Sequence, residues 1–193
     1  IGIMTTGAIY APITGGIDLS VASMAALSGI IANLLMNGYG VNWVVAILIT
    51  LLIGAAVGWL NGIVTTKFLV PAFIVTMAAK TYLFGVAMLV SNGDQITIMQ
   101  PSQFLQIGVG KFLGIPIPIY IMATLVIASH ILLQHTVFGR RAIAVGANEV
   151  SAKLSGVNPH RTIITVYIIS SVTASIAGIV MASLTQQAYA MNA

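Results

Sequence analysis

Apolar runs close to twenty residues long recur along the whole chain, at 43–64, 71–90, 117–136 and 162–184. Each can carry an α-helix across about 30 Å of hydrocarbon at about 1.5 Å per residue. Residues 1–36 are equally apolar, but as one helix they would run about 54 Å, too long for a membrane. The stretch TGGID at 14–18 interrupts them, which gives two segments, 1–13 and 19–36. Only 5% of the residues are charged and 59% are hydrophobic, whereas a soluble domain carries about a quarter charged residues. The fold class that follows is all-α: a polytopic transmembrane helical bundle of about six membrane segments, forming a single domain over residues 1–193.

The net charge of +4 and the isoelectric point near 9.6 give no reason to expect a nucleic-acid partner. In a membrane protein, basic residues mark the loops that stay in the cytoplasm. Lys67 in the loop 65–67, with Arg140, Arg141, Lys153 and Arg161 in the loop 137–161, make up five of the seven basic residues. The loop 37–42 is uncharged, and in 91–114 Asp94 balances Lys111. The bias puts 65–67 and 137–161 in the cytoplasm and 91–114 outside. Alternation then turns Gly15-Gly16 towards the inner side. Pro71 and Pro118 open two of the spans, where a helix tolerates a missing N–H. The chain starts without Met inside an apolar run, stops just after another, and shows no signal peptide. It reads as a fragment of a longer protein.

Little in the chain resembles a catalytic centre. The three acids, Asp18, Asp94 and Glu149, fall in three separate regions, so no carboxylate pair forms from local sequence. Cysteine is absent, which excludes disulfides, thiolate catalysis and cysteine metal sites. His130 and His135 stand five apart, which separates them around a helix, and no third metal ligand is evident. GVGKFLG at 108–114 fails as a phosphate-binding loop, because Leu105 occupies the first glycine position and Phe112 follows Lys111. Small residues do recur at four-residue spacing: Gly54, Gly58 and Gly62 on one span, and Ser170, Ala174, Gly178 and Ala182 on another. Such rows let helix backbones approach closely, and the ordinary expectation is packing within one subunit.

Two polar residues stand out within the oil. Asp18 directly precedes an apolar segment and is expected to cap its helix; a broken segment carrying TGGIDLS also suits the lining of a translocation path. Lys80 lies near the middle of 71–90, where a cation is costly and normally faces the bundle interior or a water cavity. A third polar feature is GANEVSAKLSGVNPHR at 146–161. Asn148 is a good N-cap, Glu149 sits in the first turn, and Glu149/Lys153 is a favourable i,i+4 pair. Gly156 supplies a C-terminal stop and Pro159 prevents continuation. A capped helix of about two turns does not persist alone in water. It calls for a docking partner or a membrane surface.

Three stretches together, TGGIDLSVASMAALSG, NGIVTTKFLVPAFIVTMAAKT, and FGRRAIAVGANEVSAKL followed by SGVNPHRTIITVYIISSVTASIAGIV, resemble the membrane permease subunit of bacterial ribose-type ABC importers. The resemblance covers essentially the whole chain in order. That family's first helix and C-terminal third have no counterpart here. Gly16, Asp18, Ser20, Asn61, Gly62, Pro71, Phe73, Thr76, Gly139, Arg140, Gly146, Asn148, Leu154, Ser155 and Gly156 match its pattern. Departures are Ala22, where glycine is usual, and Phe84, where arginine is common before the glycine matching Gly85; Lys80 lies one turn earlier.

The resemblance implies an inner-membrane transport subunit, not an enzyme, that moves a monosaccharide or sugar-like solute inward. It implies as partners an ATP-binding subunit, a periplasmic sugar-binding protein and a second permease subunit, identical or different. This chain would bind no cofactor of its own, ATP and magnesium being held by the ATPase. Gly16, Asp18, Ser20, Asn61 and Lys80 are then candidates for the translocation path. Gly139, Arg140, Gly146, Asn148, Glu149, Lys153, Leu154, Ser155 and Gly156 are candidates for coupling to the ATPase. Two other readings stand beside it: a proton-coupled secondary transporter using Asp18, and a non-transporting membrane scaffold.

Overall fold

The computed structural model describes residues 1–97 and 102–189. Five of its helices are long and apolar enough to cross a membrane: Val21–Gly38, Trp43–Lys67, Ala72–Ser91, Ile117–His135 and Pro159–Thr185. The expected sixth segment is not one span. It forms two short helices, α1 (Gly2–Ala8) and α2 (Tyr10–Ile13), separated at Ile9. The physical cause is Pro12, which has no N–H to donate to the carbonyl four residues back.

The last span, α10 (Pro159–Thr185), organises the rest. Asn158 caps it, its Oδ1 accepting from the Arg161 N–H at 3.1 Å, so Pro159 opens this helix besides stopping the one before. Its small residues make the two helix contacts that define the bundle. The helix α4 (Trp43–Lys67) runs antiparallel to it, with Gly54 against Ser175, Gly58 against the Tyr167 backbone and Gly62 against Ile164. The helix α3 (Val21–Asn33) runs parallel to it, Gly178 lying on the Ala25 carbonyl and Gly29 against Ala182. Both glycine and small-residue rows therefore pack within this one chain, as ordinary bundle contacts do. The helix α5 (Ala72–Ser91) lays Val75, Ala79, Leu83 and Ala87 inward, against α3.

Antiparallel packing of α4 on α10 brings Lys67 to the same end as Arg161. Lys67 closes the last turn of α4 instead of lying in a loop, because nothing before Phe68 ends the helical pattern. The stretch 137–161 is helical too: α8 (Val137–Ala147) follows α7 (Ile117–His135), and α9 (Glu149–Leu154) follows α8. Thr136 caps α8 by accepting from the Gly139 N–H at 3.3 Å. At the opposite end, 91–114 is more than a loop. It holds α6 (Ser102–Val109), pinned to α10 because Ser183 Oγ accepts from the Gly108 N–H at 2.8 Å and donates to the Phe104 carbonyl at 2.7 Å. Two small antiparallel pairs complete that end, β1 (Ile96–Thr97) with β4 (Gln187–Ala188) and β2 (Lys111–Phe112) with β3 (Ile115–Pro116).

Candidate translocation break and coupling face

From α2 the chain reverses at Gly15, whose φ is +78°, and climbs back as a non-helical segment before α3 begins at Val21. Burial alternates along it: Ile17 and Leu19 are exposed, Asp18 and Ser20 buried. Alternation of this kind means that successive side chains point to opposite sides. The inward pair forms the polar centre of the bundle. Asp18 Oδ1 accepts from the Ser20 N–H at 2.9 Å and from Ser20 Oγ at 2.6 Å. Its Oδ2 accepts from Ser170 Oγ of α10 at 2.6 Å. Ser20 Oγ in turn accepts from Asn61 Nδ2 of α4 at 3.3 Å.

Ser170 lies about 16 Å from one end of α10 and about 22 Å from the other, at about 1.5 Å per residue. Asp18 is therefore at mid-depth, and α3 starts in the middle of the bundle. Asp18 is not the N-cap of that helix. The N-cap position belongs to Ser20, whose side chain makes no capping bond. The carboxylate stops two residues short and ties the break to α10 instead, while α4 joins through Ser20. On the α5 side of the break, Thr76 Oγ1 donates to the Ile17 carbonyl at 2.9 Å. Gly16 packs beside the Tyr167 hydroxyl, which is buried and has no hydrogen-bond partner among the described residues. Gly16, Asp18, Ser20 and Asn61 are thus brought together.

Lys80 is not part of that cluster. It lies on the exposed face of α5 and does not enter the bundle interior. The reason is helical phase: Thr76 and Ala79 take the inward positions, and Lys80 falls just outside them. His130 and His135 also differ from the expectation of separation, since their ring centroids are 5.9 Å apart. Among the described residues no group of three or more His, Cys, Asp or Glu side chains could hold a metal ion.

The coupling candidates occupy the basic end. Asn148 caps α9 as expected, its Oδ1 accepting from the Ser151 N–H at 2.9 Å. Gly156 has φ +81°, and the Gly156 and Val157 N–H groups donate to Lys153 and Ala152 carbonyls at 3.0 Å each, which ends the helix. Glu149 and Lys153 are both exposed and, among the described residues, make no ion pair. Ala152 is the buried residue of α9, while Val150 is 70% and Leu154 85% exposed. Four residues apart, these two form an apolar stripe on one face. Gly139 lies against the Leu133 backbone, which allows the tight turn from α7 into α8, and Arg140 is exposed.

Gly146 supplies the connection. A side chain there would collide with the Ile13 carbonyl and come within 3.3 Å of Thr14 Cα, so α8 sits directly beneath the turn that leads into the break. Two members of this network are not evident from sequence, Ser170 and Thr76 as holders of the break. Ser170 is concealed in a row of small residues, where hydroxyl in place of methyl is the one available signal.

Fold and site define the class, a multi-pass helical membrane protein with one segment broken at mid-depth. The chain belongs to the family described as branched-chain amino acid transport system / permease component, which matches residues 1–193. It is 38% identical over 181 residues to the ribose import permease protein of Escherichia coli strain K12, covering 92% of this chain and 56% of that one. It is 35% identical over 183 residues to the L-arabinose ABC transporter permease protein of Azospirillum brasilense, covering 95% and 53%. The ribose import permease protein of Bacillus subtilis strain 168 is 35% identical over 184 residues, covering 94% and 56%. The chain thus spans little more than half the length of these relatives. No solved structure matches it.

Proposed function

We propose that the chain is the membrane-spanning part of an ATP-driven importer for a sugar-like solute, placed in the bacterial inner membrane. One observation carries the mechanism: Gly146 of α8 rests on Ile13 and Thr14, at the foot of the break that Asp18 ties to α10. A helix docked on an ATPase at α9 pushes or releases α8. That motion reaches the break through backbone contact, without a flexible intermediary. The Asp18–Ser170 and Asn61–Ser20 bonds then hold or yield as the break tilts between outward-open and inward-open arrangements. ATP and magnesium are assigned to the partner subunit, a second permease subunit completes the membrane part, and a periplasmic binding protein delivers the solute. The relatives' names favour this over the proton-coupled and scaffold readings. Uptake that survives collapse of the proton gradient and stops on ATP depletion is the expected result; the opposite pattern would return Asp18 to the role of proton carrier.

Leu154 and Val150 are the apolar anchors of the docking stripe. Burying one leucine in a partner groove is worth about 1.5–3 kcal/mol, or roughly ten- to hundredfold in affinity. Leu154→Asp is expected to reach the membrane at normal abundance, because the side chain touches little within the chain, while co-purification of the ATPase subunit falls at least about tenfold. Normal co-purification would remove α9 as the docking element.

Orientation is checked with the same chain. Residues 1–193 hold no cysteine, so Ser102→Cys and Ser151→Cys each add a single thiol to this chain, at opposite ends of the bundle. An impermeant thiol reagent on whole cells is expected to label the first and spare the second. Labelling of only the second would invert the topology and put α9 out of an ATPase's reach.

A further inference from the structure

Lys80 lies about 12 Å from one end of α5 and about 16 Å from the other, too deep for its four-carbon stem to carry the ammonium to either interface. It is exposed and has no acidic partner among the described residues. A free cation at that depth does not face lipid. A second observation is independent of it. The segment around Ile17 and Leu19 presents non-helical backbone within the span on an exposed side, and such backbone is tolerated only against protein or a water-filled cavity. The two features adjoin, because Thr76, one turn before Lys80, holds the Ile17 carbonyl. The acid in this layer, Asp18, is buried and occupied by Ser20 and Ser170. The exposed wall therefore carries one positive charge and, among the described residues, no compensating negative one.

We propose that this wall lines the aqueous path, and that Lys80 makes the path select a solute bearing a negative charge, a sugar acid with a carboxylate in preference to a neutral sugar. The identity of the moving solute rests on the importer reading; the positive wall rests on the depth of Lys80, its lack of an acidic partner among the described residues and the exposure of this face within the chain. A lysine in this position offers the carboxylate a charge-assisted hydrogen bond. The solute's hydroxyls would meet the exposed edge of residues 17–19.

The wall is testable in the assembled transporter in membrane vesicles, with any cysteine outside residues 1–193 replaced by serine. Phe84 is exposed one turn beyond Lys80, and Phe84→Cys is challenged with a sulfonate-bearing and a trimethylammonium-bearing methanethiosulfonate. Both should react. A unit charge about 6 Å away in water shifts each rate about threefold, in opposite directions. The sulfonate-to-ammonium rate ratio should therefore fall about tenfold on adding Lys80→Gln and hold with Lys80→Arg. Met77→Cys, exposed on the preceding turn, serves if Phe84→Cys does not reach the membrane. No reaction with either reagent at either position overturns the aqueous wall, and a ratio indifferent to Lys80→Gln overturns the charge selection. ATP-driven uptake of gluconate or galacturonate lost about tenfold in Lys80→Gln supports the substrate class. Uptake confined to ribose or arabinose and unchanged by Lys80→Gln overturns it while leaving the importer reading intact. Loss of ATP dependence sinks that reading without altering the thiol result.

Discussion

Asp18→Asn is expected to keep much of the uptake that Asp18→Ala loses. All three groups around the carboxylate donate to it: the Ser20 N–H, Ser20 Oγ and Ser170 Oγ. Alanine leaves three donors buried without an acceptor, at about 1–3 kcal/mol each where no alternative partner is found. Asparagine keeps an oxygen for Ser20 and turns its NH₂ to Ser170, whose hydroxyl accepts as readily as it donates. The break then stays tied to α10. We expect uptake in Asp18→Ala to fall at least about thirtyfold, the equivalent of about 2 kcal/mol, with abundance in the membrane measured in parallel. Equal inactivity of two abundant variants would show that an ionisable group is needed, and the tethering role would fail.

Gly58→Val is expected to have the largest effect on folding. Its Cα lies against the backbone of Tyr167 and Ile168; an added Cβ would overlap the Tyr167 carbonyl and stand 2.7 Å from Ile168 Cα. Backbone cannot rotate out of the way as a side chain does, so α4 must move off α10. That separation opens the Asn61–Ser20 bond one turn away and loosens the longest contact in the bundle. Overpacking alone costs about 1–3 kcal/mol, and here the loss of small-residue packing adds to it. Membrane abundance and heat-induced aggregation in detergent should both show it. Gly85 provides the contrast, since a Cβ added there would meet nothing within 4 Å. Gly85→Ala is expected to leave abundance unchanged.

The spans are legible because a helix in lipid must satisfy its own backbone hydrogen bonds, so hydropathy and length suffice. Trp43–Lys67, Ala72–Ser91, Ile117–His135 and Pro159–Thr185 depart from the expected bounds by three residues at most. The caps at Asn148 and Asn158 are local for the same kind of reason, each bonding an N–H three residues ahead. The second is masked in the sequence by Pro159, which signals a stop as strongly as a start. The stretch 91–114 is harder. Its short helix α6 owes its place to Ser183, a residue 75 positions away from Gly108.

By itself the sequence determined the class, the position of four long spans, the grouping of basic residues at one end and the capped helix α9, all properties of neighbouring residues. Tertiary structure decided where Asp18 sits, what it binds and which way Lys80 faces. Asp18 and Ser170 are 152 residues apart, and no local period encodes that meeting. The cost of charge in lipid argues for Lys80 inside, but only the packing of Thr76 and Ala79 fixes the phase of α5. The same cost, applied to a face left open by that phase, is what favours a water cavity over the bundle interior for Lys80.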